Sequence, residues 1–266
     1  MLALLAPFQT LVRHRSTIQA FVRRDIRARY VNSVLGLSWA IIVPLTLLSL
    51  YTFVFSYVLK VRLGGTGTTA SFAVYLFCGM LPWLAFAEGV TRSTSVVLEH
   101  AHLIKKVVFP SEILPVFAVL AALVSELVGL ILLLAYVGVL QGLAWTVLAL
   151  PVVLVLQVML TVGLGWLLAS VNVFLRDVGQ VLGLAVTIAM FLTPIFYPAD
   201  LVPARFRWLL ALNPLYHLVD AYRALVLDQR LPALSGLVML AAVAVAAFVL
   251  GHWVFQRAKP AFVDVI

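Results

Sequence analysis

The sequence predicts an all-α integral membrane protein with six transmembrane helices, on the basis of its composition, its hydropathy and the position of its charges. Hydrophobic residues make up 64% of the 266 residues and charged residues only 11%, whereas soluble domains carry about 25% charged residues. A bilayer core about 30 Å thick is crossed by roughly 20 apolar residues in a helix. A chain of this length therefore accommodates several spans and no sizeable soluble domain.

The positive charge of the chain points to a membrane surface. The net charge is +8, and most of the excess lies in one N-terminal segment directly before an apolar stretch. This arrangement suits an anionic lipid surface better than nucleic acid. We therefore expect membrane lipids, and no nucleic acid, among the partners.

An amphipathic helix is predicted over residues 8–30. Apolar residues recur there at helical spacing between arginines, a pattern typical of a helix that lies in the membrane interface. Its charged and aromatic candidates are Arg23, Arg24, Asp25, Arg27 and Tyr30.

Six apolar segments follow, each long enough to cross a bilayer. They are residues 34–59, 72–98, 113–140, 147–170, 178–196 and 234–255. An even number of spans places both termini on one side of the membrane. The excess of Lys and Arg on that side predicts that both termini are cytoplasmic.

The connection at residues 197–233 differs from the short turns elsewhere. It is too polar and too rich in proline to span, yet two short stretches keep an apolar periodicity. We interpret it as two short re-entrant helices separated at Asn213 and Pro214, because proline favours a helix start. Arg205, Arg207, Asp220 and Arg223 are expected near the outer headgroup level, either meeting phosphate or anchoring the segment. Asn213, Tyr216 and His217 complete its candidate residues.

Three charged residues lie inside predicted spans, where charges are costly and usually face a bundle interior or a water-filled path. Glu88 and Arg92 are four residues apart, in the order that favours pairing on one helical face. Glu126 lies in the third span, or nearer the cytoplasmic interface than its hydropathy suggests. Two interpretations of Glu88 and Arg92 are open: residues of a substrate path, or a buried pair that fastens two helices together.

Aromatic residues are concentrated toward the outer halves of several spans. An interfacial belt accounts for most of them, whereas a sharper interpretation is a conduit in which sugar rings slide over flat aromatic faces. The candidates for such a path are Phe53, Tyr57, Trp83, Phe86, Phe191, Phe196 and Tyr197, together with Glu88 and Arg92.

The polar loop at residues 99–112 carries two histidines and two lysines. A metal site would need a third ligand at close spacing, so the pattern favours a short solvated helix that offers a polar face to a partner. The sequence contains no Gly-rich phosphate loop with its Lys and Ser/Thr. We therefore expect no catalytic residue, metal or cofactor in this chain, and nucleotide hydrolysis on another polypeptide.

Short motifs follow one another in order along the chain: RDIRARY at 24–30, FP at 109–110, NVFLRD at 172–177, TPIFYP at 193–198, NPLYH at 213–217 and YR at 222–223. This ordered set resembles the membrane subunits of type-two ABC exporters that move polysaccharides. No single motif is decisive. Their order over nearly the whole chain makes the set fairly specific.

The resemblance implies a homodimer of six-span subunits in the bacterial cytoplasmic (inner) membrane, paired with two copies of a cytoplasmic ATPase that binds ATP and Mg²⁺. O-antigen, capsule and teichoic-acid exporters share this plan, so the implied cargo is a lipid-linked polysaccharide. Residues 197–233 would cap the channel from outside. The implied ATPase-coupling residues are Glu99, His100, His102, Leu103, Lys105 and Lys106, with Arg176 and Asp177 in a second cytoplasmic turn. Periplasmic export proteins would be further partners on the outer side of the membrane.

Two alternatives remain open from the sequence. A type-two ABC exporter of a lipid or drug has the same architecture. An intramembrane glycolipid-modifying enzyme needs clustered acids or a histidine near one membrane face, and His217 with Asp220 is the only such pair.

Overall fold

The structure is a computed structural model that describes residues 9–30, 38–58, 69–106 and 109–265. Within these ranges the chain is helical and contains no strand, so the predicted all-α class is confirmed. Four of the described helices are long and apolar enough to cross a membrane: Phe72–Glu99, Ile113–Gln141, Trp145–Phe174 and Leu234–Val265. Two shorter apolar helices, Ile41–Val54 and Val178–Leu192, accompany them.

The helices are numbered here in chain order. They are α1 (Arg15–Tyr30), α2 (Trp39–Tyr51), α3 (Thr69–Glu99), α4 (Ala101–Lys106), α5 (Ile113–Gln141), α6 (Leu150–Phe174), α7 (Val178–Leu192), α8 (Arg207–Leu212), α9 (Pro214–Val226), α10 (Leu234–Ala258) and α11 (Phe262–Val265). Helical turns over residues 9–13 precede α1, and α2 continues as a π-helix over Thr52–Val58.

Helix α1 is amphipathic in the structure. Ile18 is buried on one face, in an apolar cluster with side chains of α5 and α6. Arg23, Arg24 and Arg27 are exposed on the opposite face. The helix ends at Tyr30, and the side chain of Tyr30 lies outside the described part of the chain.

One end of the bundle gathers α1, α4, the start of α5 and the C-terminal helix. The ring centroids of Phe21 and Phe109 are 5.7 Å apart. Lys259 Nζ lies 2.6 Å from Glu112 Oε2, and α11 packs against α4 and α6. These segments, far apart in sequence, therefore share one level of the bundle, which we call the inner end.

The opposite end, called the outer end, gathers the α5–α6 connection and the segment that contains α8 and α9. The Thr146 hydroxyl donates to the Leu225 carbonyl over 2.9 Å. The Gln229 side-chain amide donates to the Gly142 carbonyl over 3.0 Å. The connections between consecutive long helices thus fall alternately at the two ends.

The backbones of helices α6 and α10 approach each other closely. A Cβ on Gly163 would overlap the backbone of Ala247 and Phe248, and a Cβ on Gly251 would overlap the Gly163 carbonyl. Small residues at a membrane helix interface allow such close packing, which strengthens van der Waals contact. Glycine is therefore required at both positions.

Helix α7 is packed far less tightly than its neighbours. Of its residues the structure buries only Leu182, although most of its large side chains are apolar. Val181, Leu184 and Ile188 are all exposed. An apolar helix with uncovered faces is suited to lipid or to another protein surface.

Two predicted span boundaries differ by about one helical turn from the helices. Helix α7 ends at Leu192, before the predicted end at residue 196, because Pro194 cannot continue a helix. Helix α6 continues to Phe174, so the start of the predicted cytoplasmic turn is helical. The beginning of the predicted first span, residues 34–37, and its last residue lie outside the described ranges.

Candidate functional site

Four charged side chains form a closed ring where α1 meets α3. Arg29 Nε lies 3.1 Å from Asp25 Oδ2, and Arg29 Nη2 lies 2.5 Å from Glu88 Oε1. Arg92 Nη2 pairs with Asp25 Oδ1, and Arg92 Nη1 lies 3.4 Å from Glu88 Oε1. Each acid contacts both arginines, so the charge ring has no net charge. It fastens the interface helix to the inner part of α3.

Asp25 depends on the two arginines for its ionised form. Burial would raise the pKa of its carboxyl, but the hydrogen bond and charge of Arg92, together with Arg29, outweigh burial and hold the pKa below its usual value. An acid whose folded-state pKa is lowered stabilises the fold above its unfolded pKa of about 4. This stabilisation is present at neutral pH and is lost as the pH falls from about 4 through the folded-state pKa.

The charge ring supports one of the two interpretations of Glu88 and Arg92, namely a pair that fastens two helices together.

Charge balance in the ring can be tested with one single and one double substitution. Arg92→Met leaves two carboxylates facing one guanidinium, so we expect the free energy of unfolding to fall by about 1–3 kcal/mol. Adding Glu88→Gln restores equal numbers of acids and bases, and the double variant should be more stable than Arg92→Met. Unfolding of the purified proteins in detergent measures both. A double variant that is no more stable than the single one contradicts the balance.

The predicted coupling residues lie at the inner end, on and beside α4. The His100 ring packs against Phe21 and Phe117, with ring centroids 6.2 Å and 5.6 Å away. His102 and Lys105 are exposed, whereas Leu103 is half-buried. One face of the segment is thus held by α1 and α5 while another faces away from the bundle.

Two further coupling candidates flank this segment. Glu99 accepts a hydrogen bond from the Ser95 hydroxyl over 2.5 Å. The Lys106 side chain lies outside the described part of the chain.

Arg176 and Asp177 occupy the turn between α6 and α7, also at the inner end. Both are exposed, and the turn is closed by a hydrogen bond from the Val178 amide to the Leu175 carbonyl over 3.2 Å. Among the described residues, neither side chain is bonded to α1. Both therefore remain available to a partner outside the chain.

At the outer end, Asn213 connects two of the sequence motifs. Its side-chain carbonyl accepts a hydrogen bond from the Leu215 amide over 2.9 Å, which caps the start of α9. Its side-chain amide donates to the Thr193 hydroxyl over 3.0 Å. The helix break lies at Asn213 and Pro214, where the sequence places it.

Arg223 is a buried clamp on the turn that follows α7. Its side chain is 6% exposed. The guanidinium donates to the carbonyls of Pro194 and Ile195 over 2.7 Å and 2.8 Å. It also lies over the Tyr75 ring, 3.5 Å from the centroid. A Cβ on Gly79 would lie 2.6 Å from this guanidinium, so the clamp requires glycine there.

The other candidates in the outer segment are placed differently from Arg223. Arg205 and Arg207 are exposed and Tyr216 is partly buried; the predicted position of the two arginines at headgroup level stays a prediction. His217 Nε2 lies 2.9 Å from the Ala211 carbonyl, whereas Asp220 pairs with Arg230 at 3.5 Å. His217 and Asp220 thus each have another partner, so the pair that an enzymatic alternative needs is not assembled.

The aromatic path candidates are divided between the core and the surface. Trp83 and Phe86 are buried in the central apolar cluster, whereas Phe53 and Phe191 are exposed. Phe196 packs partly buried against that cluster. Two tyrosines complete the set. The Tyr197 hydroxyl donates to the Phe191 carbonyl over 2.8 Å. The Tyr57 side chain lies outside the described part of the chain. The structure does not gather the set on one surface, and a shared path stays a prediction.

Comparison with known proteins identifies the family. The model of the family described as ABC-2 type transporter matches residues 16–227, a range that begins in α1 and ends just after α9. The chain belongs to the ABC-2 transporter family. An O-antigen export system permease from Myxococcus xanthus is 31% identical over 261 residues, which cover 96% of this chain and 97% of that protein.

Two further relatives are similar to this ABC-2 transporter over most of their length. An O-antigen export system permease from Klebsiella pneumoniae is 27% identical over 246 residues, covering 91% of this chain and 92% of that protein. The polysialic acid transport protein KpsM from Escherichia coli is 26% identical over 215 residues, covering 79% and 81%. The resemblance predicted from short motifs is therefore confirmed.

In this ABC-2 transporter, the motifs that carry the resemblance contact other parts of the chain. The side-chain amide of Asn172 donates to the Thr94 carbonyl over 2.9 Å, which ties the end of α6 to α3. Arg223 and Asn213 join the last two motifs to the turn after α7. Residues of these motifs thus connect neighbouring helices at each end of the bundle.

Sequence reasoning missed the partners of Glu126. Gln157 in α6 and Tyr222 in α9 both hydrogen-bond to its carboxyl group, at 2.7 Å and 2.5 Å. Gln157 is the lone amide in the otherwise apolar start of α6, and such a polar residue in a span indicates a buried polar contact. Its contact with Glu126 and Tyr222 could not be predicted, because the three residues belong to different helices.

Proposed function

We propose that this protein is the membrane-spanning channel subunit of an ATP-driven exporter that carries a lipid-linked polysaccharide, of O-antigen or capsule type, across the cytoplasmic membrane. The observation that carries the proposal is the similarity, over nearly the whole chain, to permeases named for O-antigen export. The similarity to a polysialic acid transport protein supports an extended sugar polymer as cargo.

The proposed topology has six spans, cytoplasmic termini and a re-entrant segment on the outer side. It is supported by the alternation of the helix connections between the two ends of the bundle. The inner end carries α1 with its exposed arginines, as the positive-inside rule requires of a cytoplasmic side. Segment 197–233 then caps the external side, with α8 and α9 as the two short helices.

Energy conversion is assigned to a separate cytoplasmic ATPase, present in two copies, which holds ATP and Mg²⁺. Binding of ATP closes the two ATPase subunits on each other and displaces the coupling segment at α4. Because α4 directly follows α3, and the charge ring fastens α3 to α1, the displacement reaches the interface helix and the second span together. This chain contributes the path and no catalytic group.

The functional unit is proposed to be a homodimer. The uncovered apolar faces of α7 support a second copy as partner. A conduit wide enough for a hydrated sugar chain also needs walls from two copies. Exposed aromatics such as Phe53 and Phe191 would line such a path, while the buried Trp83 and Phe86 would support it from behind.

The function is tested by co-expressing this subunit with the ATPase proposed as its partner, followed by deletion of the pair. Deletion should leave a lipid-linked glycan on the cytoplasmic side, and the composition of that glycan identifies the cargo. Restored export by the pair, and by neither subunit alone, is the expected result. Normal surface glycan in the deletion strain, with a lipid or drug retained instead, would refute the polysaccharide assignment.

The outer segment is predicted to enter and leave the membrane on the same side. With Cys78 replaced by alanine, single cysteines at the exposed positions Arg205 and Arg230 should both react with an impermeant thiol reagent added outside. A cysteine at the buried position Leu215 should react slowly. Labelling yield in intact cells, compared with permeabilised cells, measures the access. Labelling of the first two positions from opposite sides contradicts the re-entrant course.

The exposed face of α4 is predicted to be the main ATPase contact. His102→Asp and Leu103→Asp each place a carboxylate on this face, so we expect weaker association with the ATPase and slower export. Co-purification of the two subunits measures the association. Leu231→Asp, an equally drastic change at an exposed position of the outer end, is the matched control and should leave association unchanged. Wild-type association in both α4 variants would count against the assignment.

A further inference from the structure

Three polar side chains meet inside the bundle, apart from both the charge ring and the coupling segment. They are Glu126 of α5, Gln157 of α6 and Tyr222 of α9, which are 3%, 2% and 0% exposed. The Tyr222 hydroxyl oxygen lies 2.5 Å from Glu126 Oε1 and 2.8 Å from Gln157 Oε1. Gln157 Nε2 lies 2.7 Å from Glu126 Oε2 and 3.3 Å from the Pro82 carbonyl.

The number of protons in this cluster depends on the state of Glu126. Three contacts join the three side chains, and each needs one proton. The tyrosine supplies one, and the glutamine amide supplies one to Glu126 and its other to the Pro82 carbonyl. An ionised Glu126 leaves two protons for three contacts, so Tyr222 faces two acceptors at 2.5 Å and 2.8 Å with one hydrogen.

A protonated Glu126 supplies the missing hydrogen. Its carboxyl O–H donates to the Tyr222 oxygen, the Tyr222 hydroxyl donates to Gln157 Oε1, and the Gln157 amide donates to Glu126 Oε2. Every contact then carries one proton, and the three bonds close into a ring. Exchanging the oxygen and nitrogen of Gln157 does not change this need, because two oxygens would then face each other between Gln157 and Glu126. That exchange would also remove the donor to Pro82.

No cation among the described side chains neutralises a carboxylate at this place. The ion pairs of the described residues do not include Glu126. Arg223 follows Tyr222 in sequence but its guanidinium is engaged with the carbonyls of Pro194 and Ile195. A further titratable group on α3, the thiol of Cys78, is buried and carries no positive charge.

A mainly apolar cavity of about 460 Å³ between α1, α2, α3 and α5 adjoins the cluster, and Glu126 lines it together with Tyr51, Glu88 and Arg29. Glu88 and Arg29 are already paired with each other at 2.5 Å, and the tyrosine carries no positive charge. A buried carboxylate without a paired cation is strongly disfavoured, and the neutral acid is the form that such a site retains.

We propose that Glu126 is a protonated carboxylic acid in the folded transporter and a positioning residue for export. In this form it closes the ring that fixes α9, the longer helix of the outer segment, to α5 and α6. Loss of the proton opens the ring at the Tyr222 contact, so the attachment of the outer segment depends on one proton. The protonation state stands independently of the cargo, whereas the effect on export rests on the proposed function.

Infrared spectroscopy of the full-length protein at neutral pH tests the protonation state directly. Glu126→Gln should remove a carbonyl stretch of a protonated carboxylic acid from the difference spectrum. Tyr222→Phe keeps Glu126 but removes the acceptor of its proton, so the same stretch should move to higher frequency. Loss of carboxylate bands in Glu126→Gln, in place of the acid band, overturns the proposal. Because Tyr222→Phe retains every other contact of the aromatic ring, it carries the test if another variant fails to fold.

Export measures the positioning role. Glu126→Gln reproduces the neutral acid, since its amide donates to Tyr222 and its carbonyl accepts from Gln157, so export should stay near the wild-type rate. Glu126→Leu and Tyr222→Phe break the ring, and each should lower export at least about tenfold. Retained export in Glu126→Asp with loss in Glu126→Gln would show that charge is required and would overturn the proposal. Failure of the wild type to export any polysaccharide refutes the proposed function and leaves the infrared result standing.

Discussion

Gly163→Leu is expected to prevent the protein from reaching its folded state. A Cβ at this position already overlaps the backbone of Ala247 and Phe248, and backbone cannot move aside as a side-chain end does. Separating α6 from α10 would remove this close helix contact, at a cost of about 3 kcal/mol by comparison with overpacked cores. The yield of monodisperse protein after detergent extraction, and its unfolding, measure the loss.

Gly183→Ala is the matched control. Gly183 lies on the exposed surface of α7, and a Cβ there would have no atom within 4 Å. Alanine favours helix over glycine by about 1 kcal/mol, so this variant should be as stable as the wild type or more stable. A well-folded Gly163→Leu protein would show that α6 and α10 are further apart than the structure places them.

The second large effect is expected at Arg223. Arg223→Met leaves the carbonyls of Pro194 and Ile195 buried without their donor and removes the stacking on Tyr75, at a cost of about 2–4 kcal/mol. Arg223→Lys should be no more stable than Arg223→Met, since one ammonium group keeps the buried charge but cannot replace the planar fork of donors. Unfolding in detergent and protease sensitivity of the turn after α7 measure both variants.

Arg230→Ala controls for the loss of an outer arginine. Arg230 is exposed and pairs only with surface carboxylates, at 3.5 Å to Asp220 and 3.2 Å to Asp228. Such pairs contribute about 0–1 kcal/mol, so this variant should differ little from the wild type. A full recovery of stability by lysine at position 223 would mean that charge, and not fork geometry, holds the turn.

The all-α fold class and the positions of most helices were predictable from the sequence, because an apolar run of about 20 residues matches the length of a helix that crosses a bilayer. Helix ends were less predictable. The end of α7 is set by Pro194, whose ring stops a helix within an apolar run that hydropathy reads as continuous. The break at Asn213 was predictable, since an amide before a proline is a helix-start signal of local origin.

The candidate site was predictable only where its partners lie close in sequence. The pairing of Glu88 with Arg92 follows from their spacing along α3. Their contacts with Asp25 and Arg29 do not, because these residues belong to another helix whose approach is decided by packing. The same limit hid Tyr222, which lies 96 residues from Glu126. Arg223 was expected at headgroup level, but it is buried because the carbonyls of Tyr75, Pro194 and Ile195, together with the Tyr75 ring, replace its water.

The weak packing of helix α7 affects how long an unassembled copy of the protein survives in the cell. With one buried residue, it gains little packing free energy from its own chain, so its residence in the bilayer before assembly depends on the surrounding lipid. A newly inserted copy without a partner therefore exposes an apolar helix with few buried contacts, which is typical of a region of low local stability. We expect membrane quality-control proteases to remove such orphan copies first. The cellular amount of this transporter would then be set by the supply of its partners and not by its own rate of synthesis.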